Sequence, residues 1–162
     1  MSRTSLVWAA LVAALGSSAV LPLAVSGAPA PTTAIGEIKK EHNVDMPDGR
    51  KAVRLTVPAE ISGQQGKTVW VALWFTDTSE RPVASNDPAY ADPSGFLRMV
   101  SADATLSKDH ESQVFAFLVP YAAFPRRREG KYLVIAHAKL VRRDSPKNVI
   151  LATCATSFTV EG

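Results

Sequence analysis

Thr68-Val69-Trp70-Val71-Ala72-Leu73-Trp74-Phe75-Thr76 runs seven apolar residues between two threonines. In an extended chain successive side chains point to opposite faces. Val69, Val71, Leu73 and Phe75 then share one face, and Trp70, Ala72 and Trp74 the other. β-branched and aromatic residues dominate, and the spacing has no 3.6-residue period. With both faces apolar, the segment reads as a central β-strand.

Working outward from it, the same period recurs. Lys51 to Val57 alternates, with Val53, Leu55 and Val57 inward and Arg54 and Thr56 outward. Phe96 to Ala102 is a shorter and weaker version. Gln113 to Val119 sets Phe115, Phe117 and Val119 against Val114, Ala116 and Leu118, and is again apolar on both faces. Lys131 to Val141 carries Tyr132, Val134, Ala136, Ala138 and Leu140 on one face. Val149 to Val160 carries Ile150, Ala152, Cys154, Thr156, Phe158 and Val160. A polar connection, Arg142 to Asn148, makes these last two a hairpin, and Gly49, Gly63, Gly66, Gly95 and Gly130 mark other joints. Thr76 to Ser94 is the one long irregular loop, rich in Pro and Asp. Short strands at this spacing without helices predict an all-β fold: a single antiparallel β-sandwich, immunoglobulin-like or C2-like, of about seven or eight strands. Its core is expected to include Val53, Leu55, Leu73, Phe117, Tyr132, Val134 and Phe158.

The N-terminal segment reads differently. Met1 to Ser5 holds one positive charge, Leu6 to Leu15 is wholly apolar, and Gly16-Ser17-Ser18 interrupts it. The stretch Leu21 to Ala28 then ends in small residues acceptable to signal peptidase. Residues 1–27 are therefore expected to be a signal peptide cut near Ser26, residues 28–34 a flexible lead-in, and 35–162 the sandwich. An uncleaved anchor is the competing reading, since about 20 residues from Leu6 to Val25 suffice to cross a bilayer. Gly16, Ser17, Ser18, Pro22 and the lack of following basic residues speak against it. The expected location is periplasmic or extracellular, with membrane contact only through the leader.

The chain has 162 residues, one cysteine and a formal net charge of +3. A lone cysteine excludes an intrachain disulfide, so packing must hold the core. The charge excess is too small to imply a nucleic-acid partner.

Glu129-Gly130-Lys131-Tyr132-Leu133-Val134-Ile135-Ala136 resembles the entry to the sixth strand of immunoglobulin-like sandwiches, where Gly-x-Tyr precedes alternating core residues. The resemblance implies that the Tyr132 hydroxyl ties back to a nearby backbone group. It also implies that Trp70 or Trp74 stands for the core tryptophan of the third strand. Val134 occupies the place of a cysteine in antibody domains, and Arg128 that of a frequent aspartate. The order from His42-Asn43 through Asp48-Gly49, Trp70 to Phe75, Pro88-Ala89-Tyr90 and Leu118 to Tyr121 is similar to C2-like or immunoglobulin-like domains of exported bacterial proteins. Those domains mostly lack an assigned activity, so the resemblance implies a fold and little about function.

Candidate chemistry is sparse. His42, His110 and His137 lie on separate segments without metal-ligand spacing. His137 falls out of phase with Val134 and Ala136, which places it on an outer sheet face. Cys154 is in phase with Ile150, Ala152 and Phe158, as a small core residue is, rather than a nucleophile in an electropositive setting. Asp77, Asp87 and Asp92 share the 76–94 loop, and loop carboxylates at the end of a C2-type sandwich hold calcium through hard oxygen ligands. Asx residues beside Pro and Ser also build turns by bonding their own backbone. No cofactor is expected, with calcium on this loop as the alternative; a copper or zinc site would need the fold to bring His42, His110 and His137 together. Arg126, Arg127 and Arg128 form the densest charge run and are candidate partner contacts. They lie about 30 Å from Arg142 and Arg143 at 3.3 Å per residue, so the two clusters do not make one patch. No Gly-x-Ser-x-Gly elbow, Ser-x-x-Lys or phosphate-cradling glycine loop is present. The expected function is a non-enzymatic binding or structural module for a protein or envelope component, with a calcium-binding C2-like module as the alternative.

Overall fold

The computed structural model describes residues 32–126, 130–144 and 146–161. The expected signal peptide lies outside them, as do Arg127 and Arg128. Residues Pro31–Gly162 form a compact unit of their own.

Nine strands appear among the described residues: β1 (Ala34–Ile35), β2 (Lys39–Asp45), β3 (Lys51–Ser62), β4 (Thr68–Thr76), β5 (Arg98–Val100), β6 (Ala104–Thr105), β7 (His110–Pro120), β8 (Lys131–Arg142) and β9 (Val149–Glu161). They make two antiparallel sheets, an all-β sandwich. In the first, β3 is flanked on one side by β1 and β2 and on the other by β7. In the second, β5 and β6 pair with β4, followed by β8 and then β9. Thr33 and Ala34, at the end of the expected lead-in, are already tied in. Thr33 exchanges hydrogen bonds with the backbone of Ser62, and Ala34 pairs with Glu60.

The period-two pattern of the sequence becomes the inner face of each sheet. Val53, Leu55, Val57, Ala59 and Ile61 of β3 meet Val69, Val71, Leu73 and Phe75 of β4 and Val134, Ala136, Ala138 and Leu140 of β8 in one core cluster. Each Val, Leu, Ile or Phe among them contributes roughly 1.5–3 kcal/mol by leaving water, and each Ala less. Phe75, Phe124 and Phe158 close one end edge to face, with ring centroids 5.5 to 6.3 Å apart and interplanar angles of 82–83°. All seven core residues expected from the sequence are buried.

Pro58 sits inside central strand β3, where a missing N–H normally costs a ladder bond. It falls where the partner of β3 changes, between Ile35↔Ala59 of β1 and Lys39↔Thr56 of β2. Gly36 bridges that gap, its N–H donating to the Pro58 carbonyl at 2.9 Å. A Cβ at Gly36 would meet the Pro58 ring at 3.0 Å, so the proline and glycine are a matched pair.

The Tyr132 hydroxyl donates to the Pro125 carbonyl at 2.7 Å, the backward tie that the resemblance implies. The tryptophan expectation needs correction. Trp70 and Trp74 are half-buried on the outer face of β4 and take no part in the core cluster. The parity of β4 assigns the inner face to Val69, Val71, Leu73 and Phe75, and a residue one step out of phase cannot join them.

Candidate functional site

The strand edges differ in how they are finished. An open edge presents unpaired N–H and C=O groups and is normally blunted by charge, proline, a bulge or a cover. Along β2 run Lys39, Lys40, Glu41 and Asp45, with a register shift between Glu41 and Val44 where Asn43 takes φ 59°. The β5–β6 edge is split into two short pieces. Near its end β9 is tied by Lys40, whose Nζ donates to the Ser157 carbonyl at 2.9 Å.

Strand β7 has none of these devices over Val114 to Leu118. It pairs with β3 without a register shift from Ser62↔His110 to Ala52↔Pro120. Among the described residues no strand pairs with its other side. Val114 is 65% exposed, Ala116 is exposed and Leu118 half-buried, all on the outer face. On the inner face Phe115 and Phe117 are buried and border a cleft of about 760 Å³. That cleft runs between the β7 edge and the 99–104 segment of the opposite sheet, where Met46, Tyr90 and Met99 also line it. Val100 beside it is 60% exposed. Charges at the cleft are already neutralised: Arg54 donates to Glu41 at 2.8 Å, and Asp103 is held by Arg143 at 2.9 Å. The arrangement is an apolar slot beside an unpaired strand, suited to an extended backbone with apolar side chains on alternate positions.

The sequence carried this signal without its meaning. Val114, Ala116 and Leu118 make β7 apolar on both faces, which suggests a strand covered on both sides. The fold places it at an edge with its outer face in solvent.

The carboxylates of the 76–94 loop are spent on their own turns. Asp77 accepts from the Ser79 and Arg81 amides and pairs with the Arg81 guanidinium at 2.9 Å. Burial pushes its carboxyl upward, but those donors outweigh it and the net shift is downward. Asp87 caps the short 3-10 turn Pro88–Tyr90 through the Ala89 amide and pairs with Arg50 at 2.9 Å. Asp92 accepts from the Ser94 and Phe96 amides. Among the described residues no three His, Cys, Asp or Glu side chains group as a metal site.

One serine, one histidine and one carboxylate do converge, which sequence spacing did not reveal. Ser62 Oγ lies 2.8 Å from His110 Nδ1, and His110 Nε2 lies 3.6 Å from Glu60 Oε2. They meet because the β3–β7 register sets Ser62 opposite His110 and Glu60 opposite Ser112. Ser62 itself is only 5% exposed, whereas His110 and Glu60 are exposed. A buried hydroxyl does not offer its oxygen to a substrate carbonyl. The trio is a cross-strand polar cluster at the end of the sheet.

A second hollow, about 340 Å³, is lined by His42, Asn43, Tyr121, Lys131, Thr159 and Glu161. The Tyr121 hydroxyl bonds His42 Nδ1 at 2.9 Å and accepts from the Asn43 amide at 3.2 Å, which pins the β2 bulge. Lys131 and Glu161 pair at 2.8 Å. That bond raises the Lys131 ammonium above its usual range and lowers Glu161, so neither side chain is poised for proton transfer near neutrality. Arg126, the described member of the arginine run, is exposed close to Tyr121 and Glu161.

On the outer face of the second sheet, His137 stacks on Trp74 at 5.0 Å and accepts from or donates to Thr76 Oγ1 at 2.9 Å. Lys139 Nζ lies 4.5 Å from the Trp74 ring centre. His137 thus occupies the outer position expected of it, and burial there lowers its imidazole below the usual range. Cys154 is half-buried against the core, and burial pushes its thiol up.

Fold and site together describe an all-β sandwich module. No family model matches the chain, and no curated protein matches it in sequence. Two crystal forms of a bacterial adhesin from Mobiluncus mulieris, containing intramolecular disulfide, isopeptide and ester bond cross-links, are similar in structure. They give TM-scores of 0.45 and 0.43 at 11% and 10% identity, covering 80% of this chain and 57% of the adhesin chain. The chain therefore spans little over half of that adhesin chain, and likeness of this degree carries no functional weight.

Proposed function

We propose that this chain is an exported, non-enzymatic binding or structural module that engages an extended polypeptide segment along the open edge of β7. The observation that carries the reading is the unprotected run Val114 to Leu118 beside the apolar cleft. Main-chain hydrogen bonds supply affinity in strand addition, and pockets for alternate side chains supply selectivity. Phe115, Phe117, Met99 and Tyr90 provide the pocket walls here. Export is supported by the leader pattern of residues 1–27, and no helix among the described residues is long and apolar enough to cross a membrane. The Tyr132 tie to Pro125 supports an immunoglobulin-like rather than a C2-like arrangement. A calcium module on Asp77, Asp87 and Asp92 is the second reading raised by the sequence; metal addition, described below, decides it.

The test is a titration of the isotope-labelled unit Pro31–Gly162 with an end-blocked hexapeptide of alternating valine and threonine, followed by amide NMR shifts. Shifts should concentrate at Val114–Leu118 and along 99–104, and vanish in Ala116→Lys. Unchanged amides along β7 at millimolar peptide, at a chain concentration where the unit is monomeric, would refute the edge reading.

A further inference from the structure

We infer that the strand completing this edge is β7 of a second copy of the chain, paired antiparallel about a two-fold axis at Ala116. The inference rests on the edge reading above and adds the identity of the occupant.

Parity limits the ways in which β7 can pair with itself. Along a strand both the side-chain face and the direction of the N–H and C=O groups alternate with period two. Opposed residues must match in both, so their numbers sum to an even value and the two-fold axis passes through a residue. An axis at Ala116 sets Val114 opposite Leu118 of the second copy on the outer face. It sets Phe115 opposite Phe117 on the cleft face, with Ala116 opposite itself.

The sequence of the edge is therefore close to palindromic in size and polarity about Ala116. An axis at Phe115 would instead face Gln113 with Phe117. An axis at Phe117 would push the pairing toward Val119 and Pro120, which are already buried at the strand end. The Ala116 register keeps the paired core Val114–Leu118 within the residues bordering the cleft and opposes apolar side chains throughout, which the Phe115 register, with Gln113 against Phe117, does not.

Charge permits the contact. No ionisable side chain lies between Ser112 and Pro120, so no like charges meet inside the paired stretch. The nearest, Glu111, is turned back on its own loop, where it accepts from the Ser107 and Lys108 amides. The rim charges Arg54 and Asp103 are paired within each copy. Pairing would also bring the 99–104 segments of the two copies toward each other, covering Met99 and the exposed Val100. A contact of this length lies at the small end of specific interfaces, near or below about 1,200 Å². Dimerisation is expected to be concentration-dependent rather than obligate.

Sedimentation equilibrium of the unit Pro31–Gly162 between about 5 and 500 µM tests the inference. The mass should rise from monomer toward dimer in the wild type. Ala116→Lys should remain monomeric with an unchanged far-ultraviolet spectrum, while Ser157→Lys on the β9 edge should dimerise like the wild type. Register is read by mild oxidation in a Cys154→Ala background. Ala116→Cys should give a covalent dimer in high yield. Ser112→Cys should give little, because its two copies would lie about 26 Å apart at 3.3 Å per residue. A wild-type chain that stays monomeric throughout, or an Ala116→Lys variant that still dimerises, overturns the inference. If that monomer still shows peptide-induced shifts along β7, the edge binds a strand from another protein. If it shows none, both readings fall together.

Discussion

Replacing Tyr132 by Phe removes a single oxygen and leaves the ring in place. The residue is 8% exposed, so its apolar burial is retained and no ring-sized cavity opens. What is lost is the hydrogen bond to the Pro125 carbonyl at 2.7 Å. A neutral bond of this kind contributes about 0.5–1.5 kcal/mol net, and a carbonyl left without its donor adds to the cost when water cannot reach it. Pro125 is only half-buried, which keeps the sum near 1–2 kcal/mol. A unit of about 130 residues has an unfolding entropy near 0.27 kcal/mol/K at its midpoint, so the Tm should fall by about 4–7 °C. Calorimetry at neutral pH measures this directly. Tyr121→Phe is the control: its hydroxyl bonds His42 and Asn43 at an exposed site, where water replaces the lost partner, and its Tm should fall by less than about 2 °C. A Tyr132→Phe variant that melts within about 1 °C of the wild type would refute the structural role assigned to the tie.

Three further outcomes are expected. Saturating calcium should leave the Tm of the EDTA-treated unit unchanged, because Asp77, Asp87 and Asp92 already hold backbone amides. A rise on the order of 10 °C, the effect of a ligand at a hundredfold over its Kd, that disappears in Asp87→Ala would establish the calcium module instead. A fluorophosphonate probe should not label Ser62, since the residue is buried; stoichiometric labelling lost in His110→Ala would make the chain a hydrolase. For His137, burial lowers the imidazole first, Lys139 lowers it further and Glu80 partly opposes them. Its folded pKa is below the unfolded value, so its contribution to stability is complete above about 6.5 and is lost as pH falls through the folded pKa. Quenching of Trp74 fluorescence by the stacked imidazolium should therefore have a midpoint below about 6.5 and be absent in His137→Asn; a midpoint above that value would contradict the stacked, partly buried ring.

Six of the nine described strands, β3, β4, β5, β7, β8 and β9, were legible because their signal is local. Alternation of Val53-Leu55-Val57, Val69-Val71-Leu73-Phe75 and Val134-Ala136-Ala138-Leu140 fixes both an extended backbone and the face that leaves water. Tyr132 was legible for a related reason, since its partner Pro125 is only seven residues away. The turn chemistry of Asp77, Asp87 and Asp92 was also local, each bonding amides within four residues of itself.

Pairing across the chain was not legible, and it governs everything distinctive about the surface. Period two tells which face of a strand is apolar but not which strand lies beside it, because lateral order is a property of the whole topology. Hence Gln113 to Val119 and Thr68 to Thr76 look alike in sequence, yet β4 is enclosed by β5, β6 and β8 while β7 is left with an open side. The same long-range register brings Ser62 to His110 across 48 residues and leaves Trp70 and Trp74 outside the core. Local alternation was enough to find β3, β4, β5, β7, β8 and β9 and the sandwich class, but not the charged β2 or the two-residue β1 and β6. The tertiary structure decided where the sheets end, because an edge exists only once every other strand has found its partner.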